Sequence, residues 1–581
     1  MSEQRTGTGL TILGKLLTVV LIAGLIAGGF YLVKSRGVKT PGGGGKATAD
    51  AKAGDDAKGT ADGKTAGGEG DATAAVPAEM KTSVPRLDPA APYTPKDNTI
   101  DVELSEYAGY AGLIAANGGL EPTENSVFFK KHGFKVRLAL SEEESWSKLN
   151  SGGMAASATT VDVLAVYGKQ FQVNVPALIG FSRGADGVVV RSDIKRINQL
   201  AGKVLATAQF TEAEFFIRYL AQEAGLQVNA IPDLNATPHP EKVNLVFADD
   251  AFAAGDLFLQ DVNGGGNKLA GCVTWAPKTT EVAEGSGGKA HVLTTNKNLL
   301  IVADILIVNR GFAEKNPKMV AGLVDGLMEG NRGVRDNPAQ HLDVIAKAFK
   351  WDRQEAQDEL AKVHLANLPE NLAFFSGAID AAGSFDGIYQ SAVFAYGNDL
   401  IRDPQPPKRF VDLAHLQALE QGGAYKDQQV AIAPIRSQGG APIEENPLLS
   451  KDIRFQFLPN DSKLDLAQQE NLARLESIKQ LLKVSPGSVV LLRGHVDDAR
   501  VAEFRKQGGE SYVRQMALKA MQLSEDRAKE IKRLLVERQG LEDKRIDIRG
   551  LGWNEPNSKE PNPDKRSELN RRVEVQWFTV E

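Results

Sequence analysis

Nine polar and aromatic residues stand where strand-like segments run into helix-like ones, the place where an α/β chain holds a small ligand. Ser157, Thr159 and Thr160 precede a helix predicted over 161–167, and Thr207, Gln209 and Thr211 precede another over 212–223. Unpaired backbone N–H groups and the positive end of each helix dipole favour an anionic or polar head group at such positions, with hydroxyls completing the cage. Tyr107, Tyr110 and Trp275 are placed to wall the same pocket. Two plainer readings stand beside these: Thr160 and Thr211 as ordinary N-caps, and the aromatic residues as core. No arginine lies in these loops, so an oxoanion suits the helix ends without being selected by a side chain.

Other chemistries find little support. Cys272 is the single cysteine, which excludes an intrachain disulfide and a multi-cysteine zinc site, and it reads as a buried structural thiol. The seven histidines are scattered, and no His/Glu metal spacing or Rossmann glycine spacing occurs. The glycine-rich stretch 261–267 lacks a following Gly-Lys-Ser/Thr and is not a phosphate-binding loop. With no nucleophile beside a plausible base, we expect neither an enzyme nor a cofactor. The net charge of -6 is spread without a basic face, which argues against nucleic acid as a partner.

The elements that must position these residues fall into blocks. Residues 16–33 are an uncharged, strongly apolar run of 18, long enough to cross a bilayer, with 1–15 expected on the cytoplasmic side. An uncleaved signal anchor is the favoured reading and a cleaved signal peptide the rival; the flanking Arg5, Lys15, Lys34, Arg36 and Lys39 do not fix orientation. Residues 34–97 are expected as a disordered linker, because most of that stretch is Gly, Ala, Lys, Asp and Thr and cannot bury enough surface to offset ordering entropy. From 98 to 420 strands alternate with helices, which implies a mostly parallel sheet with crossover helices. A Gly/Pro/Gln-rich linker covers 421–447, and 448–581 reads as an α+β domain of helices on one sheet, with strands expected at 453–457, 488–494, 545–549 and 572–577.

Over 98–420 the chain resembles the periplasmic substrate-binding proteins of ABC importers, in the branch handling nitrate, sulfonates, taurine and thiamine precursors. The likeness rests on Tyr107-Ala-Gly-Tyr110, Lys130-Lys-His-Gly133, Leu200-Ala-Gly-Lys-Val204, the stretch 216–226, Thr274-Trp-Ala-Pro277 and Asn316-Pro-Lys-Met-Val320, in that order. It implies a type II-like α/β body of two lobes with a ligand cleft between them.

Residues 448–581 resemble the OmpA C-terminal family. Ile453-Arg-Phe-Gln-Phe457 with Leu464, Gly494-His-Val-Asp497, Leu523-Ser-Glu-Asp-Arg-Ala528, Arg549-Gly-Leu-Gly552 and Asn570-Arg-Arg-Val-Glu574 follow the family's motifs in order. The resemblance implies binding of the diaminopimelate in a peptidoglycan stem peptide, with Asp497 taking its ammonium and Arg527 its carboxylate. Val496, Ala520 and a longer 499–514 segment depart from the family's pattern.

Together these readings describe a non-enzymatic protein held in the bacterial inner membrane, with its bulk in the periplasm and its C-terminal domain on the wall. It would bind a small polar or anionic solute for an ABC importer or a sensor. The competing expectation is a structural protein that joins membrane to wall through a binding-protein fold without ligand.

Overall fold

The computed structural model describes residues 76–141, 145–378, 383–432, 447–458, 461–485, 487–556, 562, 565 and 569–578. The apolar run 16–33 lies outside them, as do residues 1–15 and most of the two expected linkers. Among the described residues no helix is long and apolar enough to cross a membrane.

Four strands open the body: β1 (Thr99–Leu104), β2 (Lys135–Leu140), β3 (Ala156–Thr160) and β4 (Val173–Ser182). Residues 183–185 then cross to a second sheet made of β5 (Asp186–Arg191), β6 (Val204–Ala208), β7 (Val228–Ala230), β8 (Val243–Ala248), β9 (Gly271–Trp275) and β10 (Ala290–Thr295). Residues 296–302 cross back to β11 (Ala303–Asn309), and β12 (Val363–Leu365) completes the first sheet. The strand orders are β2-β1-β3-β11-β4-β12 and β7-β8-β6-β9-β5-β10. The two sheets exchange strands across two short crossings, so the body is two-lobed: β11, reached after the second crossing, inserts between β3 and β4, antiparallel to both.

Near-continuous apolar runs explain why the central strands are buried on both faces, as sheets covered by crossover helices must be. All six residues of β8 and all seven of β11 are buried. The helix Glu212–Glu223 falls where the 3.6-residue pattern predicts it, with Phe215, Phe216 and Leu220 inside. The helix Phe385–Leu400 packs against Val161–Tyr167 of one lobe and Glu212–Glu223 of the other, spanning both.

The C-terminal domain is a four-stranded sheet, β13 (Leu449–Ile453), β14 (Val489–Gly494), β15 (Ile546–Gly550) and β16 (Val573–Phe578), in the order β13-β16-β14-β15. The helices Gln469–Val484 and Val501–Glu537 accompany it. Two local expectations are corrected here. The opening strand ends at Ile453 instead of beginning there; Arg454–Phe457 leaves the ladder, and Phe457 keeps one bridge, to Leu464. The 499–514 segment is helical from Val501 and breaks at Gly508 and Gly509, the latter at φ 63, a conformation glycine adopts without steric cost.

The described part of the expected disordered linker, 76–97, is a strap fixed to the body. On the second lobe Ala78 N donates to Phe247 O at 2.8 Å, and the Gln209 side chain bonds both backbone groups of Lys81 at 2.8 Å. On the first lobe Gln170 accepts from Leu87 N and donates to Pro85 O, both at 2.8 Å, and Asn150 Nδ2 donates to Asp88 O at 2.8 Å. Buried Asn309 accepts from Tyr93 N and donates to Ala91 O. Glutamine and asparagine side chains thus satisfy a backbone that low-complexity composition alone would leave in water.

Candidate functional sites

A cavity of about 300 Å³ lies in the cleft between the lobes. It sits at the ends of β3, β6 and β11, where open α/β sheets place their ligands. Seven of the nine predicted residues line it: Tyr107, Tyr110, Thr159, Thr160, Gln209, Thr211 and Trp275. Ser157 and Thr207 do not. Ser157 lies two residues back inside β3, and its hydroxyl donates to Ala158 O at 3.2 Å. Thr207 lies within β6 and is fully buried.

The threonines at the two helix starts occupy N-cap positions, but neither side chain caps its helix. Thr211 Oγ1 donates to Ala208 O at 3.1 Å. Thr159 Oγ1 and Thr160 Oγ1 are buried without a partner at normal hydrogen-bond geometry among the described residues. Tyr107 and Tyr110 stand edge to face with ring centroids 5.3 Å apart, and Trp275 packs on Phe252 at 5.6 Å.

The lining also contains Asp186, Glu212, Asp249, Asp250 and Asp304, with Lys81 of the strap as the one cation among the described residues there. Asp304 is the register partner of Thr160 across β11 and β3, and Asp186 that of Trp275 across β5 and β9. Tyr110 donates to Asp304 Oδ1 at 3.2 Å, while Ser182 and Asn296 both donate to Asp186 Oδ2. Burial pushes the Asp186 carboxyl up to about 6 and holds Asp304 well above the usual carboxylate range. Fully buried Asp162, on the helix behind Thr160, is pushed by burial up to about 7.

This lining gives the expected polar or anionic head group acidic neighbours. The helix Val161–Tyr167 is only seven residues long, and the first turn of Glu212–Glu223 already carries two carboxylates of its own, Glu212 and Glu214. Where these carboxyls are ionised a negative ligand meets repulsion, which a low-dielectric cleft strengthens, although burial holds Asp186 and Asp304 toward their neutral forms. The acids were missed, although Asp304 is a charged residue inside the apolar run of β11, itself a signal, since such residues are rarely buried without a role. Cys272, by contrast, is buried as predicted, and burial pushes its thiol up.

In the C-terminal domain Asp497 lies just beyond β14. Its Oδ1 accepts from Ala499 N at 3.2 Å, and its Oδ2 accepts from Arg571 Nε at 2.7 Å. Arg527 projects from the long helix with its guanidinium carbon 4.8 Å from the centroid of the Phe457 ring. Burial lowers the Arg527 pKa, the Arg571 guanidinium lowers it further, and the Asp497 carboxylate raises it. The three groups therefore form one electrostatic cluster. Gly494 lets strand and helix meet, since a Cβ there would fall 2.0 Å from Ser524 O. Val496 N donates to Gly552 O at 2.9 Å, so the loop carrying Asp497 is held to the turn after β15.

Residues 456–570 match the OmpA family. No curated protein matches the chain. Among solved structures, the periplasmic aliphatic sulphonate binding protein SsuA from Escherichia coli is similar at 15% identity and a TM-score of 0.41, covering 55% of this chain and 97% of that one. The periplasmic nitrate-binding protein NrtA from Synechocystis is similar at 13% identity and a TM-score of 0.40, covering 57% and 90%. A zinc-bound ligand-binding component of an ABC-type import system from Staphylococcus aureus is similar at 12% identity and a TM-score of 0.41, covering 55% and 98%.

Proposed function

We propose that this protein is a solute-binding protein of the bacterial envelope, held to peptidoglycan by its C-terminal domain and to the inner membrane by the apolar run 16–33. The reading is carried by one conjunction: a chain that encloses a polar cleft between two lobes also carries an OmpA-family domain with Asp497 and Arg527 in one charged cluster.

A zwitterionic amino acid needs one fixed charge of each sign, and a charge-assisted hydrogen bond to each end fixes its orientation. Asp497 receives the ammonium and Arg527 the carboxylate. In the ligand-free domain Arg571 occupies the Asp497 carboxylate, but that guanidinium is half exposed, and such pairs contribute only about 0–1 kcal/mol. An arriving ammonium can displace it. Two tethers also restrict delivery to a distant transporter, which favours a fixed sensor or a localised importer component.

Co-sedimentation of the full chain in detergent with purified diaminopimelate-type peptidoglycan tests the wall assignment. Binding is expected for the unmodified chain and is lost in both Asp497→Ala and Arg527→Ala. If the unmodified chain stays in the supernatant, the C-terminal domain serves another partner and the wall assignment is wrong.

A further inference from the structure

The geometry points to a small organic amine as the ligand of the cleft, its ammonium directed to Asp186 and Asp304 and its carbon body held against Tyr107, Tyr110 and Trp275. This deepens the solute-binding reading above and rests on it.

Carboxylates reach the cavity from both lobes. Asp304 comes from β11 of the first sheet; Asp186 from β5, Glu212 from a helix start and Asp249 and Asp250 from the end of β8 belong to the second. A cation bound among them would tie the lobes together, which is what closing on a ligand requires. Asp250 caps its own helix by accepting from Ala253 N, so the inner pair Asp186 and Asp304 is the better anchor. Independent of the charges, Thr159 Oγ1 is buried at the cavity without a hydrogen-bond partner among the described residues, while Asp304 also faces the Tyr107 hydroxyl and Thr160 the Asp162 carboxyl. Buried polar atoms left open cost free energy unless something bonds them. An ammonium has three donors and no acceptor, and these oxygens are acceptors.

The aromatic wall separates an organic cation from a bare one. Ring faces attract a cation and shield an alkyl chain, a combination that carboxylates alone do not provide. Among the described residues no three His, Cys, Asp or Glu side chains converge as a metal ion would need.

The test is calorimetry and thermal shift on the full chain with four probes: butylamine, 1,4-diaminobutane, butanesulfonate of the same carbon length, and calcium chloride. At least one amine is expected to bind and to raise the melting temperature, while butanesulfonate and calcium have no effect. Asp304→Asn and Asp186→Asn should each weaken the amine by about tenfold or more, in keeping with loss of a charge-assisted bond. Should those variants fail to fold, the surface-side change Asp249→Asn and the comparison of amine with sulfonate on the unmodified chain still decide. Binding of butanesulfonate without either amine overturns the inference and leaves solute binding intact. Stabilisation by calcium instead overturns it in favour of a metal. Silence from all four probes removes both the inference and the solute-binding reading.

Discussion

Asp162, Asp186 and Asp304 are carboxyls that folding makes harder to ionise. Burial raises all three, Asp186 to about 6 and Asp162 to about 7. A raised carboxyl binds its proton more tightly in the folded state, so its contribution is full below the unfolded value near 4 and declines as pH rises through the folded value. Asp162 faces Asp186, Asp304 and Tyr396 from neighbouring elements, and ionising it beside them adds repulsion to desolvation. Lowered His291 and His341 act in the opposite sense below their ordinary range, and Glu574, held near 2 with His495 and Arg493 against it, matters only below about pH 4.5. Comparison with one variant isolates the Asp162 contribution. Asn at 162 mimics the protonated acid, so Asp162→Asn should melt above the unmodified chain by a small margin at pH 5 and by a larger one at pH 8. A melting difference that does not change over that range would rule out a raised Asp162. At this scale the sequence was partly legible. Hydroxyls and aromatics at strand ends identified most of the cleft, because residue type and position relative to a strand end determine what faces it. The acids were hidden because their importance depends on two crossings that bring β5 and β11 to one cavity, a long-range fact.

Among the elements, the strap 76–97 is where composition and structure diverge most. The strap packs Met80, Val84, Leu87 and buried Tyr93 on the body, and amide side chains far along the chain fix its backbone. Those attachments differ in depth. Gln209 supplies two bonds to Lys81 in an exposed setting, whereas Asn309 is buried and also bonds Phe312 N and Leu149 O. Gln209→Ala should therefore cost only about 1–2 kcal/mol. It should also free the 76–83 end, read as faster trypsin cleavage at Lys81 with an unchanged global melt. Asn309→Ala leaves several buried groups unsatisfied and should lower global stability by about 3 kcal/mol or more. Equal global losses in the two variants would contradict this ordering. The same contrast explains the misplaced β13. Its Ser450, Lys451 and Asp452 are polar, and only pairing with β16 makes them strand, while 454–457 of the more regular alternation lies off the ladder.

On the scale of the whole molecule, the C-terminal domain is docked on the part of the body that must bend. Asn198 exchanges two bonds with the backbone of Ser450, and Ile197 N donates to Leu448 O. More telling is the second crossing. Asn296 donates to the cleft carboxylate Asp186 and accepts from Gly184 N of the first crossing, and four residues later Leu300 N donates to Val484 O at 2.9 Å, at the end of the helix Gln469–Val484. Hydrogen bonds and a short stretch of chain thus join the cleft, both crossings and the C-terminal domain. If the lobes close on a ligand, the crossings rotate, and the Leu300–Val484 contact must either follow or break. Coupling of this kind is reciprocal: whatever the cleft ligand does to the domain, a wall fragment bound to the domain does to ligand affinity by the same factor. Hydrogen exchange at Leu300 and Gly184 should therefore change when the proposed amine site is saturated. A diaminopimelate-containing muropeptide should shift amine affinity by about fivefold or more. Unchanged exchange at both amides, together with one amine affinity measured with and without muropeptide, would mean that the domain rides on the hinge without sensing it. A chain fixed at two ends would then report only where it is held, whereas a measured shift would make the wall itself an effector of solute binding.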